Sequence, residues 1–207
     1  MEKNEIGINS GITEFQEYRS VDDIIINRDM PLSKTSSCNQ VNTDYSKKKA
    51  LHIKADLNPE SIVSVFDVAQ YVLSKLEEPC TTMKLHKLLY YCQAWYLVWE
   101  DKPLFKEDIE AWANGPVIRA LFNFHQGMYW ATPNQLTLGN PSKLNNVQKE
   151  DINNVLRFYG NKTSQWLIDQ THIEAPWRNA RKGLLPNERG NRIIPLEAMS
   201  EYYSSLK

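Results

Sequence analysis

The chain of 207 residues has little of what several large functional classes require. It has three cysteines, Cys38, Cys80 and Cys92, an odd number with no CxxC spacing. That argues against a disulfide framework and points to a reducing compartment, the cytoplasm. It has eight glycines, none arranged as GxGxxG or GxxxxGK[ST], so no phosphate-cradling loop is legible and no cofactor is expected. GxSxG and HExxH are absent, and the four histidines, His52, His86, His125 and His172, lie far apart. No apolar run approaches the ~20 residues needed to cross a bilayer, and no charged-then-apolar leader opens the chain. An excess of one charge is also missing. Lys plus Arg is 24 and Asp plus Glu is 25, for a net charge of -1. A nucleic-acid coat would carry a positive surplus to displace counterions, so neither nucleic acid nor membrane is the expected partner.

What is present is unevenly distributed. Residues 1–60 hold three aromatics, Phe15, Tyr18 and Tyr45, and no tryptophan, whereas all six tryptophans follow residue 60. Stretches such as SKTSSCNQVNTDYSKKK offer too little apolar surface to offset the entropy of ordering them. The chain therefore divides into a polar, irregular extension, 1–60, and a helical domain, 61–207. Two apolar islands interrupt the extension. Ile6, Ile8, Ile12 and Phe15 form one, and Ile24, Ile25 and Ile26 belong to the other; both are candidates for docking on the helical domain or on a partner.

From residue 61 the apolar spacing becomes helical. Ile62, Val65, Phe66, Ala69, Val72, Leu73 and Leu76 share one face, with Asn58-Pro59 or Ser64 and Asp67 as alternative starts and Pro79 beyond the end. Thr81 or Thr82 caps a long helix from Met83 to about Trp99, apolar almost all round in its second half and hence central. Ile109 to Trp112 alternates as a short strand. Asn114-Gly115-Pro116 turns the chain, with Pro116 placed to open a helix through Val117, Ala120, Leu121 and Phe124 that stops at Gly127. A polar loop with Pro133 and Pro141 follows. Further helices are expected over Ile152 to Tyr159, from the Thr163 cap through Gln170, at Pro176-Trp177, and from Pro195 through Leu206. Ile193-Ile194 is placed to pair with the earlier strand. The fold class is mainly α: a compact bundle of about six to seven helices with a minor β element and an irregular N-terminal extension.

Few residues suggest chemistry. His86 and Cys92 share a helix, but six positions apart they make a poor ligand pair, and a small thiol on an apolar stripe packs as core. Asp108 and Glu110 would share a strand face, the spacing of paired carboxylates, but a solvated edge explains them as well. Arg178, Arg181, Lys182, Arg189 and Arg192 outnumber Glu174 and Glu188 and make a local basic stretch, a surface for an acidic partner or phosphate. The aromatics in YYCQAWYLVW keep helical spacing, which favours core packing over base stacking.

Four segments, MKLHKLLYYCQAWYLVWEDKPLF (83–105), IEAWANGPV (109–117), LRFYGNKTSQWL (156–167) and THIEAPWRNAR (171–181), together resemble the Panacea domain, the GepA-like phage-associated family. The matching positions are Lys84, Lys87, Tyr90, Gln93 and Trp95, then Glu110, Trp112, Gly115, Pro116 and Val117, then His172, Pro176, Trp177 and Arg181. The resemblance implies an antitoxin of a two-gene system common in prophages, binding and neutralising a cognate protein toxin. Toxins paired with the domain include small alarmone-synthetase-like enzymes. Some members deliver the toxin to a AAA+ protease as adaptors, and no enzymatic activity is implied. An enzyme reversing the toxin's modification is the remaining alternative, with Asp108, Glu110 and His172 as its acid–base set. Most motif positions read as architectural: Gly115-Pro116 as a turn, Trp95, Trp112 and Trp177 as core with bonded indole N–H groups, and Glu110, Lys84, Lys87 and Arg181 as one polar network. Ile6, Ile8, Ile12, Phe15, Ile24 to Ile26, Arg178, Arg189 and Arg192 are the candidate toxin contacts. The extension lacks the periodicity of the three-helix DNA-binding unit that some members carry there.

Overall fold

A computed structural model describes residues 63–206. The apolar islands of the extension, Ile6, Ile8, Ile12, Phe15 and Ile24 to Ile26, lie outside the described residues, as do Cys38, His52, the alternative start at Asn58-Pro59, and Ile62.

Helix α1 spans Val65–Lys75. Ser64 caps it: its hydroxyl accepts the Asp67 N–H, and the Asp67 carboxylate accepts the Ser64 N–H, the reciprocal capping box. A two-residue strand, β1 (Cys80–Thr81), leads into α2 (Thr82–Glu100), where the Thr81 hydroxyl accepts the Lys84 N–H. Every residue of α2 from Leu85 to Val98 is buried, because the helix runs through the middle of the domain and is packed on all sides. Strands β2 (Ile109–Trp112) and β3 (Gly115–Ile118) form an antiparallel hairpin with Ile109 opposite Ile118 and Trp112 opposite Gly115. Next come α3 (Arg119–His125), β4 (Trp130–Ala131), a 3-10 turn at Pro141–Lys143, α4 (Asn146–Tyr159), α5 (Ser164–Ile173), α6 (Ala175–Ala180) and α7 (Leu196–Ser204). The described residues thus contain seven α-helices and two small sheets, a mainly α fold with a minor β element.

Helices α1, α4, α5 and α7 and strand β3 all pack on α2. The core includes Leu85, Leu88, Leu89 and Trp95 from α2, Ile152 and Val155 from α4, and Met199 and Tyr203 from α7. The sequence placed Ile193 beside the short strand, and it bridges Glu110, with Ile194 N–H donating to the Ile109 carbonyl at 2.8 Å.

Two local expectations are corrected. Pro116 does not open a helix; it sits in β3 opposite Ala111, and α3 begins three residues later at Arg119. Both backbone groups of Ala111 face away from the hairpin: its N–H donates to the Arg192 carbonyl at 2.8 Å and its carbonyl accepts Arg181 at 3.1 Å, so this pair asks no N–H of Pro116. A proline therefore costs the ladder nothing there. The loop after Gly127 is also more ordered than its polarity suggests. Trp130 and Ala131 pair with Thr81 and Cys80, a long-range contact that no local periodicity announces.

Candidate partner-binding surface

The motif side chains on α2 reach inward. Gln93 is fully buried. Its Oε1 accepts the Leu104 and Phe105 N–H groups at 3.0 and 3.1 Å, and its Nε2 donates to the Phe105 carbonyl at 3.0 Å. One amide thus closes the backbone of the loop between α2 and β2. Lys87 is also fully buried, and its Nζ donates to the Pro116 carbonyl at 3.0 Å. Burial pushes its pKa down to about 7, because the charged ammonium has left water. Trp95 donates from Nε1 to the Tyr159 hydroxyl at 3.3 Å, and Tyr90 is buried beside Tyr203. Lys84 is half-buried on the first turn of α2.

The hairpin residues do the same from the other side. Glu110 accepts the Arg119 guanidinium through both oxygens at 2.6 Å, and the Trp112 indole at 2.8 Å. Burial works against its charge, but the hydrogen bonds from Arg119 and Trp112 prevail and hold the carboxyl below the usual range. Trp177 Nε1 donates to the Trp112 carbonyl at 2.9 Å, and the His172 ring stacks on Trp177 at 4.1 Å. Pro176 is buried in α6. The Arg181 guanidinium donates to four carbonyls, those of Ala111, Leu185, Pro186 and Glu188, at 2.8 to 3.2 Å.

The expected single network of Glu110, Lys84, Lys87 and Arg181 is therefore corrected. Glu110 takes Arg119 as its partner, while Lys87 and Arg181 bind backbone carbonyls in separate places. Backbone carbonyls of the hairpin and of the loop after α6 accept these long cations, and a buried cation needs acceptors more than it needs a particular counter-charge. Trp112 is half-buried rather than core, and Arg119 lies over its ring at 5.2 Å.

The residues weighed for chemistry are similarly engaged. Glu110 is held by Arg119 and Trp112, His172 is stacked on Trp177, and Asp108 is exposed just before β2. His86 accepts the Ile118 N–H at Nδ1, 3.2 Å away, and Cys92 is buried in the core. No group of three or more His, Cys, Asp or Glu among the described residues could hold a metal ion. No helix among the described residues is long and apolar enough to cross a membrane.

The basic stretch divides. Arg181 is buried, whereas Arg178, Arg189 and Arg192 are exposed. Arg192 donates to the Lys182 carbonyl at 2.8 Å and Arg178 to the Ile173 carbonyl at 3.3 Å.

Two features escaped the sequence. The first is Glu174, which helps knot α2 to the C-terminal helix. It is 3% exposed and accepts the Tyr91 hydroxyl at 3.1 Å and the Tyr203 hydroxyl at 2.6 Å. Burial pushes its carboxyl up to about 8, against the pull of those tyrosines and of Gln170. The folded chain therefore keeps a proton that the unfolded chain releases near the ordinary 4.5. The stability Glu174 contributes is full below that value and is lost as pH rises toward 8. Replacing Glu174 with Gln removes this titration. Urea unfolding across that pH range should show the variant losing less stability with rising pH than the parent; parallel profiles would contradict this. A tyrosine cluster at helical spacing gives no hint that an acid lies among its rings.

The second is a surface. Met128, Tyr129 and Trp130 are consecutive and 41%, 69% and 52% exposed. They are held against α2, with Thr82 N–H donating to the Tyr129 carbonyl at 3.0 Å and the Thr82 hydroxyl to the Met128 carbonyl. Beside them opens a cleft of about 860 Å³ whose walls include Met83, Trp112, Phe122 and Met128. Its lining holds two arginines, Arg119 and Arg189, and no acidic residue. Two large aromatics directly after a turn were the available signal, and they are readable only once β1–β4 pairing shows that they face outward.

The fold and its polar motif thus define a small helical domain whose motif groups largely secure its own backbone and which presents an aromatic face. Residues 85–178, from the first turns of α2 into α6, match the family model described as antitoxin SocA-like, Panacea domain. No curated protein and no solved structure gives a significant match.

Proposed function

We propose that this chain is an antitoxin that neutralises a cognate protein toxin by direct binding, with residues 61–207 as the binding domain and 1–60 as an extension. The Panacea match supports the class. The observation that carries direct binding is the exposed run Met128-Tyr129-Trp130, braced by β1–β4 pairing. Contiguous exposed aromatics on a rigid support are what protein interfaces use as anchors, because they bury much area at little entropic cost. The apolar islands at Ile6 to Phe15 and Ile24 to Ile26 and the exposed Arg178, Arg189 and Arg192 are proposed as further contacts.

The test is co-expression with the product of the adjacent gene. If that product arrests growth, this chain should restore it and co-purify with it. Trp130→Ala should weaken the purified complex by about thirtyfold, the ~2 kcal/mol of a tryptophan anchor, with unfolding unchanged. Equal affinity would remove this face from the mechanism. An unchanged toxin half-life during rescue distinguishes sequestration from delivery to a protease.

A further inference from the structure

The cleft beside the aromatic run has a chemistry of its own. Its apolar walls, Met83, Trp112, Phe122 and Met128, suit a ring. His86 and His125 also line it; each is 3% exposed, and His86 Nε2 and both nitrogens of His125 have no hydrogen-bond partner among the described residues. His86 Nδ1 accepts the Ile118 N–H, so in the neutral ring the free Nε2 carries the hydrogen and is a donor. Burial lowers the pKa of both rings, His86 also through Lys87 and His125, and both are neutral at neutral pH. Neutral donors and acceptors at this depth match a neutral hydroxyl; a carboxylate there would lose its hydration without gaining a cation. The charge preference sits at the rim. Arg119 is neutralised by Glu110, whereas Arg189 is exposed and has no ion pair among the described residues.

We propose that this cleft is the docking site for an acidic, tyrosine-bearing segment of the protein partner. The tyrosine ring lies between the Met83, Trp112, Phe122 and Met128 side chains, its hydroxyl is directed to His86 and His125, and a neighbouring carboxylate pairs with Arg189. The cleft is continuous with the exposed Met128-Tyr129-Trp130 face, which places a protein rather than a free metabolite in it. This deepens the reading of that face as the partner-binding surface and rests on it.

The experiment uses the full chain with 13C-methyl methionine and three capped peptides, Ac-Glu-Tyr-Glu-NH2, Ac-Glu-Phe-Glu-NH2 and Ac-Lys-Tyr-Lys-NH2. The Glu-Tyr-Glu peptide should shift the Met83 and Met128 methyl signals saturably and leave that of Met199, which is buried in the core, in place. Loss of the hydroxyl should weaken binding by about three- to tenfold, the worth of one neutral hydrogen bond. The lysine peptide should bind about fivefold or more weaker, and Arg189→Glu, on an exposed side chain that leaves the fold intact, should reverse that order. Absence of a Met83 or Met128 shift at millimolar peptide overturns the site. Equal affinity of the tyrosine and phenylalanine peptides overturns the role of the histidines, and an unchanged charge order in Arg189→Glu overturns that of the rim. Peptide binding without growth rescue would leave the cleft standing and remove the antitoxin reading, and the converse would remove the cleft alone.

Discussion

Replacing Gln93 with alanine is expected to cost about 3–6 kcal/mol of folding stability. Three buried hydrogen bonds depend on this one side chain: two donated by the Leu104 and Phe105 N–H groups and one accepted by the Phe105 carbonyl. Removing the amide leaves two N–H groups and one C=O without partners in a place that water does not reach. Each such group costs about 1–3 kcal/mol, and a chain of this size has only ~5–15 kcal/mol in all. Gln93→Leu refills the space but leaves the same three groups orphaned, so it should recover only the packing part of the loss. Gln93→Glu keeps the acceptor for both N–H groups, and at low pH its carboxyl O–H can donate to the Phe105 carbonyl, so there it should fall between; ionised, it buries an uncompensated charge. Urea denaturation of the three variants checks the order. A Gln93→Leu variant as stable as the parent would show that the loop backbone finds other partners.

Gly115→Ala is expected to cost about 3 kcal/mol or more, for two reasons that act together. The residue has φ +95°, a region where a side chain carries roughly 1–2 kcal/mol of backbone strain. A Cβ there would also lie 2.6 Å from Lys87 Cε and 2.9 Å from both Lys87 Nζ and the Thr171 hydroxyl. Lys87 has no room to withdraw, since it is wholly buried on α2 and its ammonium is bonded to the Pro116 carbonyl next door. The clash and the strain can be separated by a double-mutant cycle. In a Lys87→Ala background, Gly115→Ala should lose less stability than in the parent, because the Lys87 clash is gone and only the backbone strain and the Thr171 contact remain. Additive losses would mean that the Lys87 stem yields after all.

These two positions also show what a sequence conveys about such a domain. Gln93 stands out by being polar in the half of its helix that is otherwise apolar almost all round, so its burial follows from local pattern, whereas Lys87 lies among Lys84 and His86 and its burial does not. What either of them binds does not follow from it. The loop carbonyl, the loop N–H groups and the Pro116 carbonyl come from chain 11 to 29 residues further on. Arg181 is the sharper case. In sequence it belongs to a basic stretch with Arg178, Lys182, Arg189 and Arg192, and all five look alike. In the fold its guanidinium is enclosed by four carbonyls while Arg178 and Arg189 remain outside. Burial of a cation depends on which turns close around it, and that is a property of tertiary path rather than composition.

The same division holds for the hairpin. Ile109 to Trp112 could be read as a strand from its alternation, and Gly115 as a turn residue from its freedom at positive φ. Pro116 read locally as a helix start, because proline suits that position. It is tolerated in the strand because the Ala111 carbonyl opposite, the group that would need an N–H, accepts Arg181 instead, from a segment some seventy residues away in the chain.

Sequence alone determined the helical class, the central place of the Met83 to Trp99 stretch, a short choice of caps for the first two helices, and the family resemblance, since all of these depend on residues within a few turns of one another. Tertiary structure alone decided which polar groups meet, that Glu174 lies among tyrosines from α2 and α7, and that Tyr129 and Trp130 face outward beside a cleft. The physical reason is that periodicity reports which side of an element is apolar. Hydrogen-bond partners and surface shape depend instead on how distant elements are brought together, and the energy of those contacts is not written in any one segment.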